Sequence, residues 1–265
     1  MGPDHRRNPG SMRLNKDKVR QRFTRAAATY DRQAVVQLQV AKRLMALLRK
    51  HVPHPPEQIL EIGCCTGLLT ARLHGIFKGI SAFYVNDLVP DFFHTVSARL
   101  DHDPRLIFLP GDIEQLNIPD NLNLIVSSST LHWLEDLPSL FQTLCNRLAP
   151  EGTLCFSIYG PANLKELKEL TGVGLDYYSL AELKSLVGSC FDILDCAEEE
   201  IPLRFNDPSA LLNHLRETGV NALDSTPWTR SRLEHFQQEY TSRFGQDGRV
   251  KLTYHPIYCI ARKNS

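Results

Sequence analysis

The sequence predicts an α/β fold, a mostly parallel sheet with helices on both faces. Between residues 58 and 159, short apolar runs alternate with helically spaced segments, the rhythm of strands joined by crossover helices. Glycine or acidic residues follow directly after several of those runs, where open α/β sheets place their ligands. No internal repeat or low-complexity stretch points to a solenoid, and 265 residues suffice for one domain carrying an insert.

Residues 16–32 read as a short basic helix turning over at Tyr30-Asp31. From Val36, apolar residues at 36, 40, 44, 47 and 48 keep helical spacing, and Pro53, Pro55 and Pro56 end that helix. Gln58–Ile62 is a first strand, followed by the turn GCCTG and a helix from Leu68 to His74. Ile80–Val85 and Leu106–Leu109 are further strands, separated by a helix over Pro90–Leu100. Leu122–Ser127, a helix over Ser139–Leu148, and Thr153–Tyr159 after the turn Pro150-Glu151-Gly152 complete the alternation. Beyond lie a helix near 180–186, a strand near 191–196, helices near 208–218 and 229–244, and a last strand over Val250–Ala261. Right-handed crossovers leave few topologies for this order. The expected organisation is a single domain over 13–265, with a helical cover at 13–50 and a helical insert at about 203–247 serving as a lid. Residues 1–12 read as a leader or tag, with Gly10-Ser11 before a second methionine, Met12.

Thirty basic residues balance thirty acidic ones, so no global field favours nucleic acid or an anionic membrane. No stretch approaches the roughly 18 apolar residues of a membrane helix, and the start lacks the apolar region of a secretory signal. The seven cysteines are irregularly spaced without a CxxC pair, which argues against a metal site. They fit small apolar positions in strands, as at Cys155 and Cys259, and a reducing cytoplasm.

The chemistry lies in the strand-end residues. The first strand runs into Glu61-Ile62-Gly63-Cys64-Cys65-Thr66-Gly67; Asp87, Asp112 and Ser127 follow the second, third and fourth. Glycines in the first turn let backbone approach a ligand in conformations closed to other residues. Asp87 can accept from both hydroxyls of a ribose, or simply cap the next helix. Asp112 can accept from an adenine amino group, with Leu88 and Ile113 offering apolar faces to the ring, or be a turn residue. The dinucleotide fingerprint GxGxxG is absent.

The run from Glu61 to Gly67, with its ordered acidic residues, resembles the E/D-x-G-x-G-x-G motif of class I methyltransferases. That resemblance implies a Rossmann-like, seven-stranded sheet and S-adenosylmethionine as cofactor. Cys65 stands where that motif has its middle glycine. If the position needs positive φ, a cysteine costs about 1 kcal/mol; if ligand passes close by, the side chain pushes it away. The stretch RQRFTRAAATYDRQAVVQLQVAKRLMALL is similar to the amino-terminal signature of malonyl-[acyl-carrier-protein] O-methyltransferases of biotin synthesis. SSSTLHWLEDL, FSIYGPANLKELKEL, FNDPSALLNHLRETGVNA and LTYHPIYCIARK fit the same family, in register over residues 17–262.

What the resemblance implies is methyl transfer to the free carboxylate of a malonyl thioester, on acyl carrier protein or coenzyme A, starting a pimeloyl chain. A carboxylate is already ionised at pH 7, so no general base is expected; placement and water exclusion do the work. The matching family tyrosine lies over the cofactor's methionine end, which makes Tyr30 the candidate beside the methyl group, with helix packing as the alternative. Lys168, where the family often has arginine, and Lys165 are candidate cations for the carboxylate; as lysines they offer a point charge rather than a bidentate fork, and solvated lysines are the alternative. His132 and Trp133 stand where substrate should enter, though tryptophan there also serves as a core plug. Carrier protein is acidic, so its docking face should be basic, drawn from Arg20, Arg22 and Arg25 or from Arg204, Arg216 and Arg230. A monomer is expected. Competing readings are a protein arginine hydroxylase like the complex I assembly factors, which the SSSTLHWLEDLP run resembles, a quinone-type small-molecule methyltransferase, and a non-catalytic relative suggested by Cys65.

Overall fold

The computed structural model describes residues 15–52, 54–220 and 229–264; the expected leader at 1–12 lies outside them. The chain opens with two helices, α1 (Lys16–Gln33) and α2 (Val35–His51). Strands and helices then alternate: β1 (Gln58–Ile62), α3 (Leu68–Ile76), β2 (Ala82–Asp87), α4 (Phe92–Arg99), β3 (Leu106–Pro110), β4 (Leu122–Ser128), α5 (Leu137–Arg147) and β5 (Leu148–Tyr159). Next come α6 (Lys165–Thr171), α7 (Leu180–Val187), β6 (Phe191–Glu198), β7 (Ile201–Phe205), α8 (Pro208–Glu217), α9 (Arg230–Phe244), β8 (Gly245–Gln246), β9 (Arg249–Tyr254) and β10 (Pro256–Lys263).

Seven strands form one sheet in the order β3-β2-β1-β4-β5-β10-β6. The first five are mutually parallel, and only β10 runs against its neighbours. Strand order reverses between β1 and β4, which opens a crevice at their carboxyl ends. One face is covered by α2, α3 and α4 through residues such as Leu44, Leu48, Leu73 and Val96. The other is covered by α5 and α7 through Phe141, Leu144, Leu183 and Val187. The spacing read for α2 is its buried face: Val36, Val40, Leu44, Leu47 and Leu48 are all at most 9% exposed. Local signals set the helix starts: Asp136 caps α5 ahead of Pro138, a Ser179–Glu182 capping box starts α7, and Asp207 caps α8 ahead of Pro208.

Several expectations change. The first helix does not turn at Tyr30-Asp31; it continues to Gln33, and the chain turns at Ala34, whose N–H donates to the Tyr30 carbonyl. The last strand divides at His255 into β9 and β10, which join different sheets. β9 pairs with β7 and β8 in a three-stranded antiparallel sheet carrying α8 and α9, so the insert is α/β rather than helical. Nor do the described residues of that insert line the crevice. Its α8 braces α1, where Thr29 Oγ1 donates to the Glu217 carbonyl at 3.0 Å and Gly219 lies against the Phe23 ring. The cover is α1 itself.

Candidate functional site

A cavity opens at the strand-order reversal, walled by the ends of β1, β2, β3 and β4 and roofed by α1. Its walls include Gly63, Cys65, Asp87, Leu88, Asp112 and Ile113, together with Tyr30 and Trp133.

The first turn is shaped by left-handed backbone. Gly63 has φ +76° and Cys65 φ +48°. At Gly63 the reason is contact: a Cβ would fall 2.1 Å from Thr130 Oγ1 and 2.4 Å from its Cγ2. Cys65 adopts the same region with a side chain, which costs about 1 kcal/mol. Its N–H donates to Asp87 Oδ2 at 2.8 Å, while Val89 N–H donates to Oδ1 at 2.9 Å. The Asp87 carboxylate is thus fixed at the end of β2 with its orientation set by backbone. Burial pushes its pKa up to about 6, against the lowering effect of those N–H bonds, so it remains mostly ionised at pH 7.

Above this turn, α1 supplies Lys16, Val19, Phe23 and Tyr30 at helical spacing. The Tyr30 hydroxyl lies beside the Cys65 thiol. Burial raises both pKa values well above their ordinary range, and the Cys65 thiol beside Tyr30 raises that tyrosine further. Both groups are therefore protonated at neutral pH. Trp133 packs edge-on against Phe23, ring centroids 6.0 Å apart, and with Val19 and Leu175 forms a small apolar cluster at the mouth. The helix is pinned at both ends. Lys16 Nζ meets Asp112 Oδ2 at 2.5 Å and also pairs with Glu114. Asp31 accepts from Thr66 Oγ1 at 2.5 Å and pairs with Arg99.

Some expected site residues lie behind the walls. Glu61 is 1% exposed and pushed by burial up to about 8. Gly67, at φ +82°, begins α3 and packs against Val96 of α4. Ser127 donates to the Ile62 carbonyl at 2.9 Å, clipping β4 to β1; its successors Ser128, Ser129 and Thr130 reach the cavity instead. His132 is buried among Trp133, Tyr159 and Tyr177, away from the wall. The two substrate lysines also fall outside it, because each is drawn to a local acid. Lys165 pairs with Glu200 at 2.7 Å, and Lys168 lies 3.7 Å from Asp176.

Among the described residues the cation at the cavity is Lys16, which the sequence reading missed. Its one visible signal was its place four turns before Tyr30 on a helix with a buried face. Among the proposed docking arginines, Arg20, Arg25 and Arg216 are exposed on the adjoining helices α1 and α8. Arg22, also on α1, is half-buried. Arg204 approaches Gln246 and Arg230 pairs with Glu234 on the insert. Among the described residues no grouping of His, Cys, Asp or Glu could hold a metal ion, and no helix is long and apolar enough to cross a membrane.

The fit to an adenosyl sulfonium cofactor rests on this geometry. An ionised carboxylate is fixed beside a turn whose backbone faces the cavity, between apolar walls at Leu88 and Ile113. Asp112 fits less freely, since Lys16 and the Glu114 N–H already use its two oxygens; each retains a second lone pair.

Residues 60–156 match a family described as a methyltransferase domain. Over 261 residues the chain is 41% identical to the malonyl-[acyl-carrier protein] O-methyltransferase of Bacteroides thetaiotaomicron, covering 94% of this chain and 99% of the relative. Proteins of the same description from Prosthecochloris aestuarii and Acinetobacter baylyi are 40% and 37% identical; the matches cover 94% and 95% of this chain, and 94% and 98% of those relatives. In fold, it resembles a putative methyltransferase from Bacillus halodurans, with TM-score 0.62 and 16% identity, over 84% of this chain and 99% of that one. The N-methyltransferase NodS of Bradyrhizobium japonicum, solved with S-adenosyl-L-homocysteine, aligns at TM-score 0.57 and 15% identity, over 94% of this chain and all of that one.

Proposed function

The chain belongs to the malonyl-[acyl-carrier protein] O-methyltransferase family, and we propose how its own residues serve that reaction. It is an S-adenosylmethionine-dependent enzyme methylating malonyl-acyl carrier protein. The observation that carries the site assignment is the pairing of the Gly63–Cys65 turn with the fixed Asp87 carboxylate under α1. Asp87 would accept from the ribose hydroxyls, Gly63 and Cys65 would present backbone to the amino-acid portion, and Leu88 and Ile113 would sandwich the adenine. Asp112 would meet the adenine amino group while keeping Lys16. When bound, the cofactor supplies an electrophilic methyl group on a sulfonium.

The malonyl carboxylate arrives ionised, so no residue has to remove a proton. What the chain supplies is enclosure and orientation. Phe23 and Trp133 exclude water, and the Tyr30 hydroxyl, beside the Cys65 thiol, faces the reacting end as a neutral hydrogen-bond donor. With Lys165 and Lys168 held by acids, we assign the carboxylate's hydrogen bonds to Tyr30 and the Ser129-Thr130 turn. Carrier protein would dock on the exposed arginines of α1 and α8, chiefly Arg20, Arg25 and Arg216. The working unit is proposed to be a monomer, acting in the cytoplasm where carrier protein is charged. The ester product would then be a substrate for chain elongation toward a pimeloyl unit.

The test is transfer of labelled methyl to malonyl-carrier protein, with acetyl-carrier protein as control. Label on the malonyl form alone is expected. Equal label on both would remove the carboxylate as acceptor.

A further inference from the structure

We infer that Cys196 and Cys259 form a reversible oxidation site that closes to a disulfide on exposure to a small disulfide oxidant. The inference is independent of the methylation chemistry. Cys259 of β10 and Cys196 of β6 are direct partners in an antiparallel register. Directly opposed residues lie about 4.5–5.5 Å apart at Cα, inside the roughly 4.4–6.8 Å span that a disulfide bridges. Opposed side chains leave the same sheet face, and both cysteines pack with the core beneath α5 and α7. Their thiols are neighbours, each shifting the other's acidity. Cys155, on the next strand, belongs to the core of the opposite face and does not compete.

The two positions are unequal in the way thiol exchange requires. Cys196 is half-buried on β6, the last strand of the sheet, whereas Cys259 is 1% exposed between two strands. The neighbouring Cys259 thiol holds the Cys196 thiol below its ordinary value. The Cys196 thiol, with burial, pushes Cys259 up. The accessible Cys196 thiolate would therefore attack the oxidant, forming a mixed disulfide and releasing one small thiol. Cys259 would then lose its proton, attack the Cys196 sulfur and expel the second small thiol. Two protein thiols are oxidised by two electrons, and one small disulfide is reduced to two thiols.

The bond would tie together the two ends of residues 197–258, which hold β7, α8, α9, β8 and β9. A loop of that length loses much of its unfolded-state freedom when closed. Two other thiol pairs are less suited. Cys64 and Cys65 are adjacent in sequence, and Cys145 donates to the Cys190 carbonyl at 3.1 Å without a shared strand register.

The experiment treats the full chain with oxidised glutathione, blocks remaining thiols and maps peptides without reduction. Cleavage before Asp195 separates Cys196 from Cys190, so the two are scored apart. The expected product is a peptide carrying Cys196 joined to one carrying Cys259, absent in Cys196→Ser. With it should come a Tm rise of roughly 5 °C or more that dithiothreitol reverses and Cys196→Ser lacks. Cys196 left as a stable glutathione adduct, both thiols left free, or a Cys145–Cys190 bridge alone would each overturn the inference.

Discussion

Gly63→Ala perturbs the first turn at its tightest point. A methyl group there would stand 2.1 Å from Thr130 Oγ1, 2.4 Å from Cγ2 and 2.7 Å from Cβ. The near atoms are one whole β-branched side chain, so rotating Thr130 cannot clear it. Backbone strain at φ +76° adds about 1 kcal/mol, and overpacking about 1–3 kcal/mol. The sum, about 2–4 kcal/mol, lowers Tm by roughly 4–16 °C in a chain of this size. The displaced Thr130 lines the cavity, so affinity for S-adenosylhomocysteine, read by titration calorimetry, should fall with stability. Thr130→Gly removes the three nearest atoms, and Gly63→Ala/Thr130→Gly should recover the overpacking part while the strain persists, a coupling of about 1–3 kcal/mol. A Tm within about 2 °C of the parent for Gly63→Ala, with unchanged affinity, would refute the close-approach argument.

Further outcomes follow from the same geometry. Asp87→Asn should weaken cofactor binding by about 1.5–3 kcal/mol, the worth of a hydrogen bond to a charged group, measured by calorimetry at pH 7.5. Because burial raises Asp87 to about 6, the accepting carboxylate is present above that pH and lost below it. Parent affinity should therefore drop as pH falls through about 6, and the Asn variant should show no such step. Tyr30→Phe should lower kcat more than it changes cofactor affinity; the reverse would make Tyr30 a packing residue. Glu166 accepts from Thr253 N–H at 2.9 Å and Oγ1 at 2.6 Å while 2% exposed, so Glu166→Ala should cost about 1–3 kcal/mol of stability with cofactor affinity retained. A loss of affinity matching the loss of stability would connect β9 to the site.

The parallel sheet was legible because its signals are local: alternating apolar runs, proline stops and caps lie within each segment's own residues. Asp87 and Gly63 were legible for the same reason, since strand ends are where such a sheet binds. What escaped depends on partners distant in sequence. Nothing near Lys165 or Lys168 announces that Glu200 and Asp176 claim them, and nothing near Lys16 announces Asp112 and Glu114. The break at His255 was hidden because β9 and β10 form one apolar run; His255 bonds back to Ala162 and Glu198, contacts set only by the folded sheet. Cys65 shows both sides: its departure from the glycine pattern was visible, but its φ of +48° and its place beside Tyr30 were not.

That α1 rests on α8 has a consequence for biosynthesis. The brace behind α1 is complete only when residues 208–219 have been made, after strands β1 to β5 and after the Asp112, Glu114, Thr66 and Arg99 pins. Nascent chains halted before that point would own the strand tips and the pinned roof but not the support behind it. Retention of the methyl donor should therefore tighten once the chain extends past that point.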